Sequence, residues 1–515
     1  QLGLPHMEWR YPWDQPVPEE LWDKVADYCG NDVDATEAVF DHLAGDWAAR
    51  QILAELSGLT VNDTTNQHTI KIVFGNDKNP QSKLVYTDLS EMFPGYKFEN
   101  GKSFYKGIKV GEGGYVHGEP GMYINVGVDD VTSMHPTSVE QLNALGPYTQ
   151  KYADLKRGRV AIKHEDFDTL RQILEGKLVP FIEDALGDNP RFTLKEVSNG
   201  LKTGVNSAYG LTSAHFDNPF RDPRNKDNIV AKRGALFMID LKEAVEAKGV
   251  RAIHIKTDSI KIPNITPEIL EFVSEFGRKY GYEFEHETTY SRFCLVNNAV
   301  YIAKVHDWEN SKDPDLIKAN GWTATGAQFA HPYIFKTLFS KEPIEFEDLC
   351  ETKEVKTAMY IDMNEGLGEE HNYHFVGKVG SFCPIKPGCG GGVLLSKRDE
   401  KYNAVTGTKG YRWLEAEVVR ALGKEDCIDM SYFYELAIDA KETISKFGDF
   451  DWFVGDKELQ DPEDEIIGMN DVPPWGPPCG DQKYESCFDC PCFDDNHMNC
   501  KLGYDLTDVI LKGDK

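Results

Sequence analysis

The chain lacks any apolar run of the ~18 residues that a membrane-spanning helix needs, and it lacks a basic-then-apolar segment at its start. The first absence leaves no membrane partner to expect; the second argues against export. A basic excess is missing too. Lys and Arg total 56 against 85 Asp and Glu, a formal net charge of −29. Phosphate backbones are usually met by clustered cations, so the bulk charge speaks against a nucleic-acid partner. Binding answers to the local potential in a groove, however, and the total vetoes nothing. Much of the acid lies late, where Asp461, Glu463, Asp464 and Glu465 outweigh Lys446, Lys457 and Lys483. The 11 cysteines are scattered apart from one C-terminal cluster, so reduced thiols in a cytoplasmic compartment are expected. No internal repeat or low-complexity tract stands out. Gln1, not Met, opens the chain, which is read as beginning inside a longer gene product.

What is present is a chain of 515 residues, 40% hydrophobic and 27% charged, enough for several lobes because single cores rarely grow past ~250–300 residues. Residues 19–56 read as helices, with Leu21, Val25, Val39 and Leu43 at helical spacing. Residues 57–120 read as mixed and strand-rich, with turns at Gly107, Gly111, Gly113 and Gly114. A strand is expected over 123–130, helices over 139–212, and a strand, a helix and a hairpin over 229–262. Strands and helices mix from 265 to 345, and the glycines of 388–392 form a turn or hinge. Past Trp452 the composition shifts to acid, Pro and Cys, as in a tail or small appended module.

Three segments carry chemistry. In the first, Ile124, Val126 and Val128 alternate toward Asp130, which should end a strand before the turn Ser133-Met134-His135-Pro136. A carboxylate there can hold Mg²⁺ where backbone amides meet phosphate; Asp129, on the other face, is a rival ligand. In the second, Thr193 and Glu196 make a capping box, and Gly210 is a natural helix stop. Leu194, Val197, Leu201, Val205 and Ala208 line one face of this helix. Lys195, Asn199, Lys202, Asn206 and Tyr209 line another, suited to a triphosphate and a base. Gly200 and Gly204 would each cost ~1 kcal/mol in a helix interior, which suggests close packing on their side. In the third, Ile253 and Ile255 alternate into Lys256-Thr257-Asp258-Ser259, and Ile260 and Ile262 alternate out: a hairpin with an acid at its tip. Two carboxylates meeting across a sheet can share two divalent ions.

In this order the three segments resemble motifs A, B and C of the family B DNA polymerases. The helix matches Lys-x-x-x-Asn-Ser-x-Tyr-Gly at every fixed position from Lys202 to Gly210. Gly113-Gly114-Tyr115-Val116 is similar to the family's glycine-rich segment before motif A, and Lys409-Gly410-Tyr411-Arg412 to a primer-contacting thumb segment. The resemblance is nearest to compact phage-type members.

It implies an α+β right-hand architecture: a palm with an antiparallel sheet, helical fingers and a thumb. A remnant of a ribonuclease H-like 3′–5′ exonuclease domain would come first. The implied divisions are 1–56 for that remnant, 57–140 for a connector and first palm segment, and 141–215 for the fingers. The palm resumes over 216–345, the thumb takes 346–455, and 456–515 is an acidic, Cys-rich tail. The implied activity is template-directed addition of dNMP to a primer 3′-OH in DNA replication, with two Mg²⁺ or Mn²⁺ ions on Asp130 and Asp258. The alternative is a catalytically impaired DNA-binding or replisome protein on the same fold. Lys202, Asn206, Tyr209, Ser133, Met134 and His135 would meet the dNTP, with Lys195, Arg159 and Lys163 as further cations and Arg191 as another candidate. Gly113, Gly114, Tyr301, Lys409 and Arg412 would contact primer–template DNA. Helicase, primase, clamp or terminal protein would be the protein partners, in a host cytoplasm if the source is viral.

Three positions depart from the pattern. His135 stands where the family has a Tyr that excludes the ribose 2′-OH, Lys256 replaces the first motif C aspartate, and Ala299 replaces a Lys two residues before Tyr301. Tyr28 and Asp32 match Tyr-x-x-x-Asp, the third exonuclease motif, with phenol and carboxylate on one helix face. The other exonuclease motifs would lie before residue 1, so no proofreading is expected of this chain. Cys487, Cys490, Cys492 and Cys500, with Cys479 and His497 nearby, are candidate ligands of a structural Zn²⁺, against the plainer reading of free thiols.

Overall fold

The computed structural model describes residues 11, 15–364, 368, 370–455, 493–494 and 499–500. The chain divides into two units, Gln1–Phe447 and Gly448–Lys515. The first starts with helices α1 (Trp22–His42), α2 (Ala44–Ser57) and α3 (Thr65–Phe74). No residue of α1 is buried. α3 corrects the strand-rich reading of 57–120: a capping box between Thr64 and Gln67 starts it, and Ile72, Val73 and Phe74 enter the core. Three short strands follow, β1 (Lys97–Glu99), β2 (Lys102–Tyr105) and β3 (Ile108–Val110), in one small sheet.

The central sheet has seven strands: β4 (Val116–Gly118), β5 (Gly121–Val131), β6 (His254–Lys256), β7 (Ser259–Pro263), β8 (Phe284–Asn297), β9 (Val300–Val305) and β10 (Trp322–Thr325). Their order is β10-β9-β8-β5-β7-β6-β4, and every pairing is antiparallel. Buried Val126, Val128, Ile260, Ile262, Phe293 and Leu295 supply the β-branched and aromatic surface such strands need. The alternation along β5 is not uninterrupted. Asn125 has φ of 48°, and the register against β8 shifts between Val128 and Asp129.

Between β5 and β6 the chain leaves the sheet for six helices: α4 (Met134–Gln141), α5 (Thr149–Lys163), α6 (Phe167–Gln172), α7 (Val179–Ala185), α8 (Leu194–Thr212) and α9 (Ile229–Glu246). A strand expected early in 229–262 is instead the first turn of α9. This helix is buried nearly all round, so its sequence shows no amphipathic period. The ammonium of its Lys232 donates to the Gly111 carbonyl at 2.6 Å, and Arg233 donates to the Tyr280 carbonyl at 2.6 Å. α8 packs on α2, α3 and α5. A Cβ on Gly200 would lie 3.2 Å from Ile52 Cγ2 of α2, and one on Gly158 of α5 would lie 2.8 Å from Leu201 Cδ1. Close approach is what these glycines provide. Gly210 does not stop α8; buried Leu211 and Thr212 carry the helix two residues further.

α10 (Pro267–Lys279) links β7 to β8. Beyond β10, two antiparallel sheets of three and four strands are built from Glu351 to Glu415, followed by a helix over Met430–Ser445. The turn at 388–392 is present, with positive φ at Gly388, Gly390 and Gly391. In the second unit, Asp449 caps a helix over Phe450–Val454, and Phe493–Asp494 pairs antiparallel with Asn499–Cys500. Cys479, Cys487, Cys490, Cys492 and His497 lie outside the described residues, as does the side chain of Cys500. Among the described residues no helix is long and apolar enough to cross a membrane.

Candidate functional site

The site begins where β5 ends. Asp130 pairs in register with Ser259 of β7, and the Val131 amide donates to the Asp258 carbonyl at 2.9 Å. Two carboxyl-bearing residues 128 positions apart in the chain thus become cross-strand neighbours. Asp258 occupies the two-residue loop between β6 and β7, whose strands pair as Lys256 with Ser259. Its companion Thr257 has φ of 60°, a costly conformation for a β-branched residue. Gly114 accommodates it: a Cβ there would lie 3.0 Å from Thr257 Cγ2, while the Thr257 amide donates to the Tyr115 carbonyl at 2.9 Å. Gly114 therefore packs under the hairpin tip, whereas a Cβ on Gly113 would meet nothing within 4 Å.

After Asp130 the chain turns through Ser133, at φ of 56°, into α4, whose N-terminus no side chain caps. Uncapped amides at a helix start favour an anion. Met134 borders the same space, but its thioether packs on Gly234, where a Cβ would approach the sulfur to 2.5 Å. The His135 ring stacks on Tyr209 with centroids 4.1 Å apart and planes 11° from parallel. Burial lowers the His135 pKa and favours the neutral ring.

Above this floor, α5 and α8 bring cations over one cavity of about 640 Å³. Arg159 and Lys163 come from α5; Lys195, Asn199, Lys202 and Asn206 come from α8. Arg159 is half-buried, touches Ser133 Oγ at 3.4 Å and leaves its buried Nε without a partner. Lys163 pairs with Glu285 of β8. Apart from Tyr209 and Arg191, all the anticipated nucleotide-contacting residues line this cavity; Tyr209 reaches it through the His135 stack. Arg191 does not: Asp184 and Glu55 hold its guanidinium.

The opposite wall is acidic. Asp130, Asp258, Glu285 and Glu287 all border the cavity. Burial first, then the charges of Asp258 and Glu287, push the Asp130 carboxyl up to about 7. Asp129 is differently placed. It is 3% exposed and takes His286 Nδ1 at 2.7 Å, so the rival carboxylate already has its partner. When ionised, Asp130 lies among Asp258, Glu287 and Glu285 with Lys261 opposing them, and a bound divalent cation would relieve that repulsion. Among the described residues no group of three or more His, Cys, Asp or Glu closes into a metal cage. The carboxylates form an open edge instead. That donor set fits Mg²⁺ or Mn²⁺, which complete their shells with water and ligand phosphate.

Glu285 and Glu287 were not anticipated. Their i, i+2 spacing in Phe284-Glu285-His286-Glu287 sets both on one strand face and was the available signal. Tyr301 lies on β9 beside a second, smaller cavity that also reaches Asp130 and Asp258. Lys409 and Arg412 border neither space; Arg412 donates to the Met363 and Gly391 carbonyls, both at 2.7 Å. Tyr28 and Asp32 share α1, with Asp32 exposed, and line neither cavity.

No family model and no curated protein matches the chain. Among solved structures it is similar to the family B DNA polymerase from the hyperthermophilic archaeon Pyrobaculum calidifontis, with a TM-score of 0.41 and 13% identity. The match covers 83% of this chain and 57% of that one, so the chain spans little more than half the length of that polymerase.

Proposed function

We propose that this chain is a template-directed DNA polymerase that extends a primer 3′-OH with dNMP. One observation carries the reading: a strand end, a hairpin tip and two helices, distant in sequence, line one cavity with acids on one wall and cations on the other. In this reading Lys202, Lys195, Arg159 and Lys163 neutralise the triphosphate. Asn206, Tyr209 and His135 bound the incoming base and sugar. Asp130 and Asp258 hold two Mg²⁺ or Mn²⁺ ions, which when bound supply stabilisation of the attacking and leaving oxygens. Cations fixed before the reaction are where phosphoryl transfer gains most of its rate. DNA replication is the process this chemistry serves. An origin in a phage rests on the motif resemblance, as does an exonuclease remnant around Tyr28 and Asp32.

Lys256, in place of a motif C acid, favours a second reading as a DNA-binding protein without catalysis. Primer extension with Mg²⁺ separates the two. Under the polymerase reading, wild type extends, and Asp130→Asn or Asp258→Asn lowers kcat by roughly 10³-fold or more while DNA binding persists. Binding without incorporation by the wild-type chain supports the second.

A further inference from the structure

Four of the described cysteines stand in two pairs beyond β10, and none of them lines either cavity. One pair is built into a sheet. The strands Glu351–Glu354, Val379–Ile385 and Arg412–Glu415 lie side by side in that order, and Glu351 pairs with Phe382. That register sets Cys350, one residue before the edge strand, against Cys383 of the middle strand, and their sulfurs lie 3.5 Å apart. Cys383 is fully buried, whereas Cys350 is partly exposed.

The two thiols are unequal. As a thiol, Cys350 donates to the Phe346 carbonyl at 3.2 Å. When it ionises, Cys383 donates to it. That hydrogen bond holds Cys350 below its ordinary pKa against the opposing effect of burial, and Ser381 and the Arg420 guanidinium add to it. The same contact, together with burial, raises Cys383. The other described thiols are set differently. Cys294 is buried in β8, where burial pushes it up to about 12. Cys389 and Cys427 are both partly exposed, and the hydrogen bond between them raises Cys427. Cys29 is exposed on α1.

Two sulfurs could also begin a metal site, but among the described residues no third His, Cys, Asp or Glu joins them, and Arg420 opposes a cation. An accessible thiolate backed by a second thiol is instead the arrangement that thiol–disulfide exchange uses.

We propose that Cys350 is a site of oxidation by small-molecule disulfides, with Cys383 as the thiol that resolves it. The Cys350 thiolate attacks one sulfur of the reagent. A bond forms between them, the reagent's S–S bond breaks, and one thiolate leaves with the electron pair. Cys383 gives its proton to that thiolate, attacks the Cys350 sulfur and expels the second half, which takes a proton from water. Two protein thiols are oxidised and one small disulfide is reduced to two thiols. The strands are already in register, so the bond needs no change in their pairing and ties the edge strand to its neighbour. Excess small thiol reverses each step. This chemistry is independent of the polymerase reading.

The test exposes the reduced full-length chain to glutathione disulfide, blocks the remaining thiols with iodoacetamide in denaturant, and maps the peptides by mass spectrometry. Wild type should lose the Cys350 and Cys383 thiols together, as one crosslinked peptide pair that retains no glutathione and reverts with dithiothreitol. Cys383→Ser should stop after the first step and keep one glutathione on Cys350. Cys350→Ser should leave Cys383 unmodified. Cys383→Ala should trap the same adduct, which keeps the outcome decisive should the serine disturb the buried position. The proposal is overturned if treated wild type keeps an alkylatable Cys350 or a stable glutathione on it, or if crosslinking is confined to Cys389 and Cys427. It also fails if neither Cys383 variant carries glutathione on Cys350.

Discussion

The two walls of the main cavity are built on different terms. The helical wall carries its charge on long side chains: Lys195 and Lys202 are exposed, as is the polar Asn206 beside them, and their backbone is ordinary α-helix. The sheet wall carries half-buried charge at bends in unfavourable conformations, with Ser133 and Thr257 both at positive φ beside Asp130 and Asp258. Strain and mutually repelling charge gather where the reacting atoms would meet, as expected when function overrides local stability. The helical wall can therefore change at little structural cost, whereas the acidic wall is destabilising as built.

Substitution should expose that contrast. Lys202→Ala should raise KM for dNTP by roughly 10–100-fold, the range for a charge-assisted phosphate contact. Thermal stability should stay within about 0.5 kcal/mol, because the side chain packs in no core.

Asp130→Asn should do the reverse: abolish extension and stabilise the metal-free protein. Asp130 titrates near 7 when folded and at its ordinary 3.8 when unfolded, so the folded state loses stability as pH rises through that interval. The variant's advantage should be full above pH 7, at about 1–2 kcal/mol after allowance for solvent screening, and fade as pH falls toward 3.8. Denaturation in a chelator at pH 8 and pH 5 measures it. An Asp130→Asn variant less stable than wild type at pH 8 breaks the comparison.

The smallest effect belongs to the contact joining the walls. Glu285→Gln releases Lys163, and because both side chains are more than half exposed, KM for dNTP should fall by no more than about threefold.

The helical wall was also the easier one to read. A capping box and a 3.6-residue period are local signals, and from Thr193 to Ala208 they determine which side chains share a face. The hairpin was legible because isoleucines alternate on both sides of Asp258. Glu285 and Glu287 were not. Their place at the cavity depends on β8 flanking β5, a strand order that no local pattern encodes. Asp130 reaches the cavity along a strand with an irregular residue and a register shift, so simple alternation identified the right residue without accounting for its path. Lys409 and Arg412 were suggested by a four-residue likeness, and Arg412 instead ties the turn at Gly391 to Met363.

The central measurement is primer extension by Asp130→Asn, Asp258→Asn and the double variant. Groups that hold ions jointly act as one unit, so the double variant should be no slower than the worse single variant. Losses that multiply, or a single variant within about tenfold of wild type, would mean that the two carboxylates do not share the chemistry.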